Sequence, residues 1–203
     1  MPPPRVRSVE ILSDLSDLDS ERYNSDVAVR LEDGTSSSFV VSTPNEPARW
    51  LDADKIDFSH GTPVLFVRRF ETTAVRRAVE AMAAEMSGYW LRYYRSPPDP
   101  GRRERGRAPA PRLRVARAEL ARVEPPADPA RACGVIEAFL EDGRQFSLLA
   151  ATPAWFEEAF ERLGLRYYFG PLVLFVRRLE PAVCRRAAES MAQAGDRWLC
   201  LYD

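Results

Sequence analysis

The chain has 203 residues, 45% of them hydrophobic and 29% charged, and this composition is typical of folded globular proteins and argues against global disorder. Its formal net charge of -1 provides no overall attraction to nucleic acid or to an anionic membrane. The apolar runs are too short for a signal peptide or a membrane span, so we expect a cytoplasmic protein.

The sequence repeats itself at a spacing of 109 positions, as Leu31 and Leu140 illustrate. Residues 31–34 (Leu-Glu-Asp-Gly) recur as residues 140–143, and residues 64–69 (Val-Leu-Phe-Val-Arg-Arg) recur as residues 173–178. We therefore predict a tandem duplication with a first repeat over 1–96, a Pro/Arg-rich linker over 97–112 and a second repeat over 113–203. The two repeats are expected to form a pseudo-twofold arrangement, like a homodimer fused into one chain.

Each repeat is predicted to be a small α+β domain with the element order β-β-β-α-β-α-β. The predicted elements of the second repeat are, in chain order, strands over 114–120, 135–140 and 145–151, a helix from Pro153 to Gly164, a strand over 172–176, a helix from Pro181 and a strand over 197–202. Asp142-Gly143 predicts the hairpin turn, because glycine tolerates the positive φ that such turns require. Thr152 and Pro153 are typical of a helix start, and Gly164 of a helix end.

Apolar spacing predicts which faces of these elements are buried. One face of the first helix carries Trp155, Phe156, Ala159, Phe160 and Leu163, and the stripe of the second helix consists of Cys184, Ala187, Ala188 and Met191. In the first repeat, Pro47 and Asp54 predict a shorter or bent first helix. The last strands, over 89–94 and 198–202, are apolar on both faces, so at least one of them is expected to seal the joint between the repeats.

Arginine pairs recur in both repeats and are the strongest candidates for a partner-binding or anion-binding site. The eight residues are Arg68, Arg69, Arg76, Arg77, Arg177, Arg178, Arg185 and Arg186. Guanidinium groups bind phosphate or carboxylate in a bidentate manner, and a position near a helix N-terminus suits an anion. The alternative is structural, because Arg76 with Glu80 and Arg185 with Glu189 have the spacing of solvated i,i+4 ion pairs.

The aromatic triplet Tyr167, Tyr168 and Phe169 is a second candidate for partner contact. Three consecutive aromatic residues in a connecting loop cannot all point inward, so at least one is expected to be exposed. Base stacking and a covered sheet edge are the alternatives.

The other candidate residues favour structural roles. Glu32-Asp33 and Glu141-Asp142 could bind a divalent cation, but Asp-Gly is typical turn chemistry. The sole histidine, His60, is predicted to lie in a loop without a catalytic partner. The three cysteines form no CxxC pair, which argues against a zinc site or a disulfide framework and favours buried thiols.

No glycine-rich phosphate loop, metal-binding motif or nucleophile motif occurs in the sequence, and no cofactor is predicted. The leading hypothesis is a non-catalytic cytoplasmic protein-binding module that acts by surface occlusion, such as a bacterial immunity- or antitoxin-like inhibitor or an adaptor of a larger assembly. One alternative is a regulatory or sensor module that binds an anionic ligand or nucleic acid between the repeats. The other is an enzyme with an unrecognised site between the repeats.

Overall fold

The structure, a computed structural model, describes residues 3–16, 19–59, 64–85, 113–123, 128–169 and 173–193. Over these residues the chain is mixed α+β, with two mixed five-stranded sheets and four helices. The predictions about His60, the linker over 97–112 and the terminal strands over 89–94 and 197–202 concern residues outside this described part. None of the described helices is long and apolar enough to cross a membrane.

The described elements follow the predicted order closely, with two additional short strands. The strands are β1 (Val6–Ile11), β2 (Asn24–Leu31), β3 (Ser36–Ser42), β4 (Phe58–Ser59), β5 (Val64–Val67), β6 (Val115–Val123), β7 (Cys133–Leu140), β8 (Gln145–Ala151), β9 (Tyr167–Tyr168) and β10 (Val173–Val176). The helices are α1 (Glu46–Ala53), α2 (Thr72–Ala84), α3 (Pro153–Arg162) and α4 (Pro181–Gln193). The predicted order lacked β4 and β9, because two residues are too few to show a strand periodicity.

The two sheets have the same strand arrangement. The first has the order β1-β2-β3-β5-β9, and the second has the order β6-β7-β8-β10-β4 when read from the equivalent edge. In the first sheet, β1, β2 and β3 are antiparallel, β3 and β5 are parallel, and β5 and β9 are antiparallel. The second sheet has the same directions throughout.

Each long hairpin turns at the predicted Asp-Gly dipeptide. Gly34 and Gly143 have φ values of 85° and 90°, a region that only glycine enters at little cost. The side chain of Asp142 accepts a hydrogen bond from the backbone N–H of Arg144 at 3.1 Å, and Asp33 accepts the equivalent bond from Thr35 at 2.9 Å. Hydrogen bonds from the Arg144 side chain and backbone hold the pKa of Asp142 below its usual value. The turn interpretation of these acidic pairs is therefore confirmed.

Each sheet has a separate hydrophobic core against its long helix. The first core contains Val27, Val29, Leu31, Phe39, Val41, Leu65 and Val67 from the strands and Val75, Ala78, Val79 and Met82 from α2. In the second core the predicted faces of β7 (Ile136, Ala138, Leu140) and α4 (Cys184, Ala187, Ala188, Met191) are buried as expected. The burial of such alternating and i,i+3/i+4 positions supplies the main stabilisation of each core.

The short first helix of each repeat departs from the prediction at its end. α1 is shorter than α3, as predicted, although Pro47 lies in its first turn, where proline is tolerated. Leu163 was predicted to share the buried face of α3, which is wrong: it lies after the helix end and is 62% exposed. Gly164 (φ 61°) and its equivalent Lys55 (φ 53°) reverse the chain at these two ends in the left-handed conformation.

The chain forms two compact units, and each gathers segments from both halves of the sequence. One unit gathers residues 1–46, 62–105 and 160–170, and the other gathers residues 47–61, 106–159 and 171–203. The reason is a reciprocal exchange of short segments: β9 pairs with β5 in the first sheet, and β4 pairs with β10 in the second. Each sheet is therefore completed by a strand from the other half of the sequence.

Candidate anion-binding site

Arg68 follows β5 and binds the end of α3, which belongs to the other half of the sequence. Its Nε donates to the carbonyl of Leu165 at 2.9 Å, and its Nη2 donates to the carbonyl of Phe160 at 3.0 Å. Its Nη1 forms an ion pair with Glu161 at 2.9 Å. Phe160 lies in the last turn of α3, and its carbonyl also accepts the backbone N–H of Leu165 at 3.0 Å, so Arg68 adds side-chain hydrogen bonds that cap the C-terminal end of α3.

Arg177, the equivalent residue in the second unit, binds the end of α1 in the same way. Its Nη2 donates to the carbonyl of Leu51 at 2.8 Å, and its Nη1 pairs with Asp52 at 2.6 Å. Each acceptor stands 109 positions before its counterpart at Arg68. At these two positions the contacts therefore support a structural role for the repeated arginines.

Most of the other predicted arginines pair with exposed carboxylates. Arg76 with Glu80 and Arg185 with Glu189 form the predicted i,i+4 pairs at 3.0 and 3.1 Å. The remaining such pairs are Arg69 with Glu21 at 3.0 Å and Arg178 with Glu180 at 2.6 Å. Because these groups are largely in solvent, each pair contributes little to stability.

The last two predicted arginines, Arg77 and Arg186, are equivalent in sequence and differ in surroundings. Arg186 on α4 donates to Oδ2 of Asp57 at 2.5 Å. The residue equivalent to Asp57 is Arg166, and it lines a pocket together with Arg77. One unit thus neutralises the helix arginine with a carboxylate, while the other places a second arginine nearby.

This pocket, here called the basic pocket, has a volume of about 360 Å³. Its lining comes from the segment after β5, the start of α2 and the start of β9, and consists of Arg68, Arg69, Glu71, Ala74, Arg77, Arg166 and Tyr167. Among the described residues, the side chains of Arg77 and Arg166 have no ion-pair or hydrogen-bond partner, and both residues are exposed. The exchange of β9 brings Arg166 and Tyr167 to arginines from the first half of the sequence.

Arg166 was absent from the candidate residues predicted from sequence. The repeat held the signal, because aligning positions 57 and 166 reveals a change from aspartate to arginine beside a strand end. The signal could be interpreted only once the exchange showed which arginine each of these residues approaches.

The aromatic triplet was predicted to form a loop with an exposed ring, and this is wrong. Tyr167 and Tyr168 form β9 and are half-buried, and Phe169 is only 7% exposed in the first core. The rings of Tyr167 and Phe169 lie nearly parallel, with centroids 5.7 Å apart. Of the three, Tyr167 reaches the basic pocket. The covered-edge alternative therefore describes this segment better.

No group of three or more His, Cys, Asp or Glu side chains that could hold a metal ion occurs within the described ranges. Comparisons with known proteins gave no match to a protein-family model, a curated protein or a solved structure.

Proposed function

We propose that the protein is a non-catalytic binding module that recognises an acidic group of a partner protein in the basic pocket. The observation that carries this proposal is the charge difference between two equivalent positions, Arg166 in the pocket and Asp57 beside Arg186. Arg77 and Arg166 both line the pocket and are exposed, and two positive charges on one pocket favour an anion there. Guanidinium groups bind carboxylates and phosphates with directed pairs of hydrogen bonds.

We also propose that the chain arose by tandem duplication of one α+β unit. The 109-residue repeat and the shared strand order of the two sheets support this origin. After duplication, the change at positions 57 and 166 would have left an internally neutralised arginine in one unit and a charged pocket in the other. Under this proposal the first unit carries the binding pocket, and the second unit has the neutralised arginine at the equivalent place. The pseudo-twofold arrangement stays a prediction.

The proposed mechanism is occlusion of the partner's surface. An acidic side chain enters the basic pocket, and contacts around the pocket mouth exclude other ligands from the partner. This behaviour suits an immunity- or antitoxin-like inhibitor or an adaptor of a larger assembly, in the cytoplasm of a bacterium. Because Arg77 and Arg166 are exposed, binding should weaken as salt screens the charges.

Cross-linking from inside the pocket tests this proposal. A photoreactive residue in place of Ala74 would be used in cells of the source organism, alone and combined with Arg166→Asp or Arg186→Gln. We expect one protein to be cross-linked at an acidic segment, with the adduct lost in Arg166→Asp and retained in the matched control Arg186→Gln. A protein captured equally by all three variants, or no captured protein, would contradict the proposal.

The second candidate is a regulatory module that binds a free anionic ligand in the same pocket. The volume of about 360 Å³ favours it, because small-molecule sites begin at about 300 Å³. Such a ligand should raise the melting temperature of the purified protein without any partner, and Arg166→Asp should remove this shift. The alternative of an enzyme stays an untested prediction.

A further inference from the structure

We infer that the acidic group bound in the basic pocket is a phosphate monoester; this inference rests on the proposed function and names the chemistry of its ligand. The ligand is either a phosphorylated side chain of the partner protein or a small phosphorylated molecule, since both present the same dianionic group. The number of available guanidinium groups, the room in the pocket and the contrast with the second unit lead to this class.

The two available guanidinium groups carry more charge than one carboxylate can offset. The side chains of Arg77 and Arg166 have no ion-pair or hydrogen-bond partner among the described residues, and each guanidinium carries five N–H donors. A carboxylate can accept from both arginines, but its single negative charge offsets only one of the two guanidinium charges. A phosphate monoester has three terminal oxygens and a charge of about −1.5 to −2 at pH 7, which matches two guanidinium groups.

The charges of the remaining lining residues also favour a doubly charged ligand. Arg68 and Arg69 are paired with Glu161 and Glu21, which do not line the pocket, whereas Glu71 does line it. The two available guanidinium groups outweigh the single Glu71 carboxylate. Because the Coulomb energy grows in proportion to the ligand's charge, the net attraction is stronger for a dianion than for a monoanion.

The room in the pocket favours an ester over inorganic phosphate. About 360 Å³ accommodates an organic group beside a phosphate. The half-buried ring of Tyr167 and the side chain of Ala74 supply apolar surface for that group. The core residue Phe169 stacks on the Tyr167 ring and fixes its position, so the surface exists before the ligand binds.

The second unit shows the geometry of the proposed contact with a protein oxygen. There, Asp57 supplies the anionic oxygen that Arg186 binds at 2.5 Å. Arg77 is the equivalent of Arg186, and Arg166 replaces the aspartate. Arg166 cannot supply an anionic oxygen, so in the basic pocket a bound ligand would supply it.

Calorimetric titration of the full chain with three phenyl compounds of similar shape tests the inference: phenyl phosphate, phenyl sulfate and benzoate. At pH 7.5 we expect phenyl phosphate to bind at least about tenfold more tightly than either monoanion. Its affinity should fall as the pH drops through the second phosphate pKa of about 6, while the sulfate affinity stays flat. Arg77→Gln and Arg166→Gln should each weaken phosphate binding about tenfold, and Arg186→Gln should leave it unchanged.

The outcomes separate this inference from the proposed function. Equal binding of phosphate and benzoate, lost in Arg77→Gln and Arg166→Gln, would overturn the phosphate inference and leave the acidic-group proposal standing. If neither Arg77→Gln nor Arg166→Gln weakens the binding of phenyl phosphate, and both variants keep the melting temperature of the wild type, the phosphate inference and the acidic-group proposal are both overturned. A phosphotyrosine peptide that binds much more tightly than phenyl phosphate would assign the ester to a partner protein, and equal affinity would assign it to a small molecule; both results support the inference.

Discussion

A guanidinium group can serve either the fold or a ligand, and its hydrogen-bond partners determine which role it has. Arg68 and Arg77 line the same pocket, yet Arg68 uses Nε, Nη1 and Nη2 on the end of α3. Arg77 makes no such contact with any described residue. Sequence reasoning gave both residues the same status, because a recurring Arg-Arg pair does not reveal which carbonyl groups lie nearby.

The helix-capping role of Arg68 predicts a loss of stability on substitution. Arg68→Gln removes three contacts from a largely covered side chain, and we expect the free energy of unfolding to fall by about 2 kcal/mol. Urea denaturation measures the change. Arg76→Gln is the matched control and should stay within about 0.5 kcal/mol of the wild type, because the one ion pair of Arg76 with a described residue is the exposed pair with Glu80. Equal effects of the two substitutions would contradict the capping role.

The thiol of Cys184 lies in the second core, where burial raises its pKa to about 11. We expect it to resist thiol reagents at pH 8 in the folded protein and to react after unfolding in urea, since the thiolate is the reactive form. This pKa lies above the usual thiol value of 9.0, so the stabilising contribution of the buried neutral thiol is complete below pH 9 and is lost as the pH rises toward 11.

Peptide mapping after brief alkylation measures this reactivity separately for each cysteine. Labelling of Cys184 at the same rate with and without urea would show that the thiol is accessible and would contradict the core placement.

At the scale of secondary-structure elements, the long elements could be predicted and the short ones could not. The faces of β7 and α4 follow clear two-residue and 3.6-residue periodicities, and both are buried as expected. β4 and β9 have two residues each and no periodicity. Leu163 matched the helical spacing but lies beyond the last helical residue, because the chain reverses at Gly164.

The two equivalent helix ends predict a stabilising substitution. Lys55 adopts a φ of 53° where the other end has Gly164 at 61°. Since the left-handed conformation costs a non-glycine residue about 1 kcal/mol, Lys55→Gly should raise the free energy of unfolding by up to that amount. Gly164→Ala should lower it by a similar amount, with both values measured by urea denaturation. Destabilisation by Lys55→Gly would show that the lysine side chain makes a contact that outweighs this strain.

At the scale of the whole molecule, the exchange of β4 and β9 could not be predicted from the repeat. Equivalent segments carry equivalent contacts, so the end of α1 or α3 would suit the arginine that follows either central strand. The charged residues do not distinguish the exchanged pairing of β4 and β9 from the pairing without exchange. With or without exchange, one helix arginine meets Asp57 and the other meets Arg166. The sequence therefore contains the parts of the basic pocket but does not indicate which parts come together.

A pair of engineered cysteines tests the exchange directly in the full chain. Val67 and Tyr167 are opposite each other in the antiparallel pairing of β5 with β9. Neighbouring antiparallel positions lie about 4.5–5.5 Å apart, which a disulfide can span, so Val67→Cys with Tyr167→Cys should cross-link on mild oxidation. The matched control pairs Val67→Cys with Phe58→Cys, which would be the neighbour if each half kept its own short strand.

Proteolysis within residues 97–112 followed by non-reducing electrophoresis provides the measurement. We expect the cleaved first variant to migrate as one covalently joined species that separates into two fragments on reduction. In the control both engineered cysteines precede the cut, so its disulfide is assessed by peptide mapping without reduction; none should be found, because Phe58 pairs with Val176 in the other sheet. A disulfide between the two control cysteines, together with separated fragments of the first variant, would mean that each sheet is completed by its own half, and Arg166 would then lie away from Arg77.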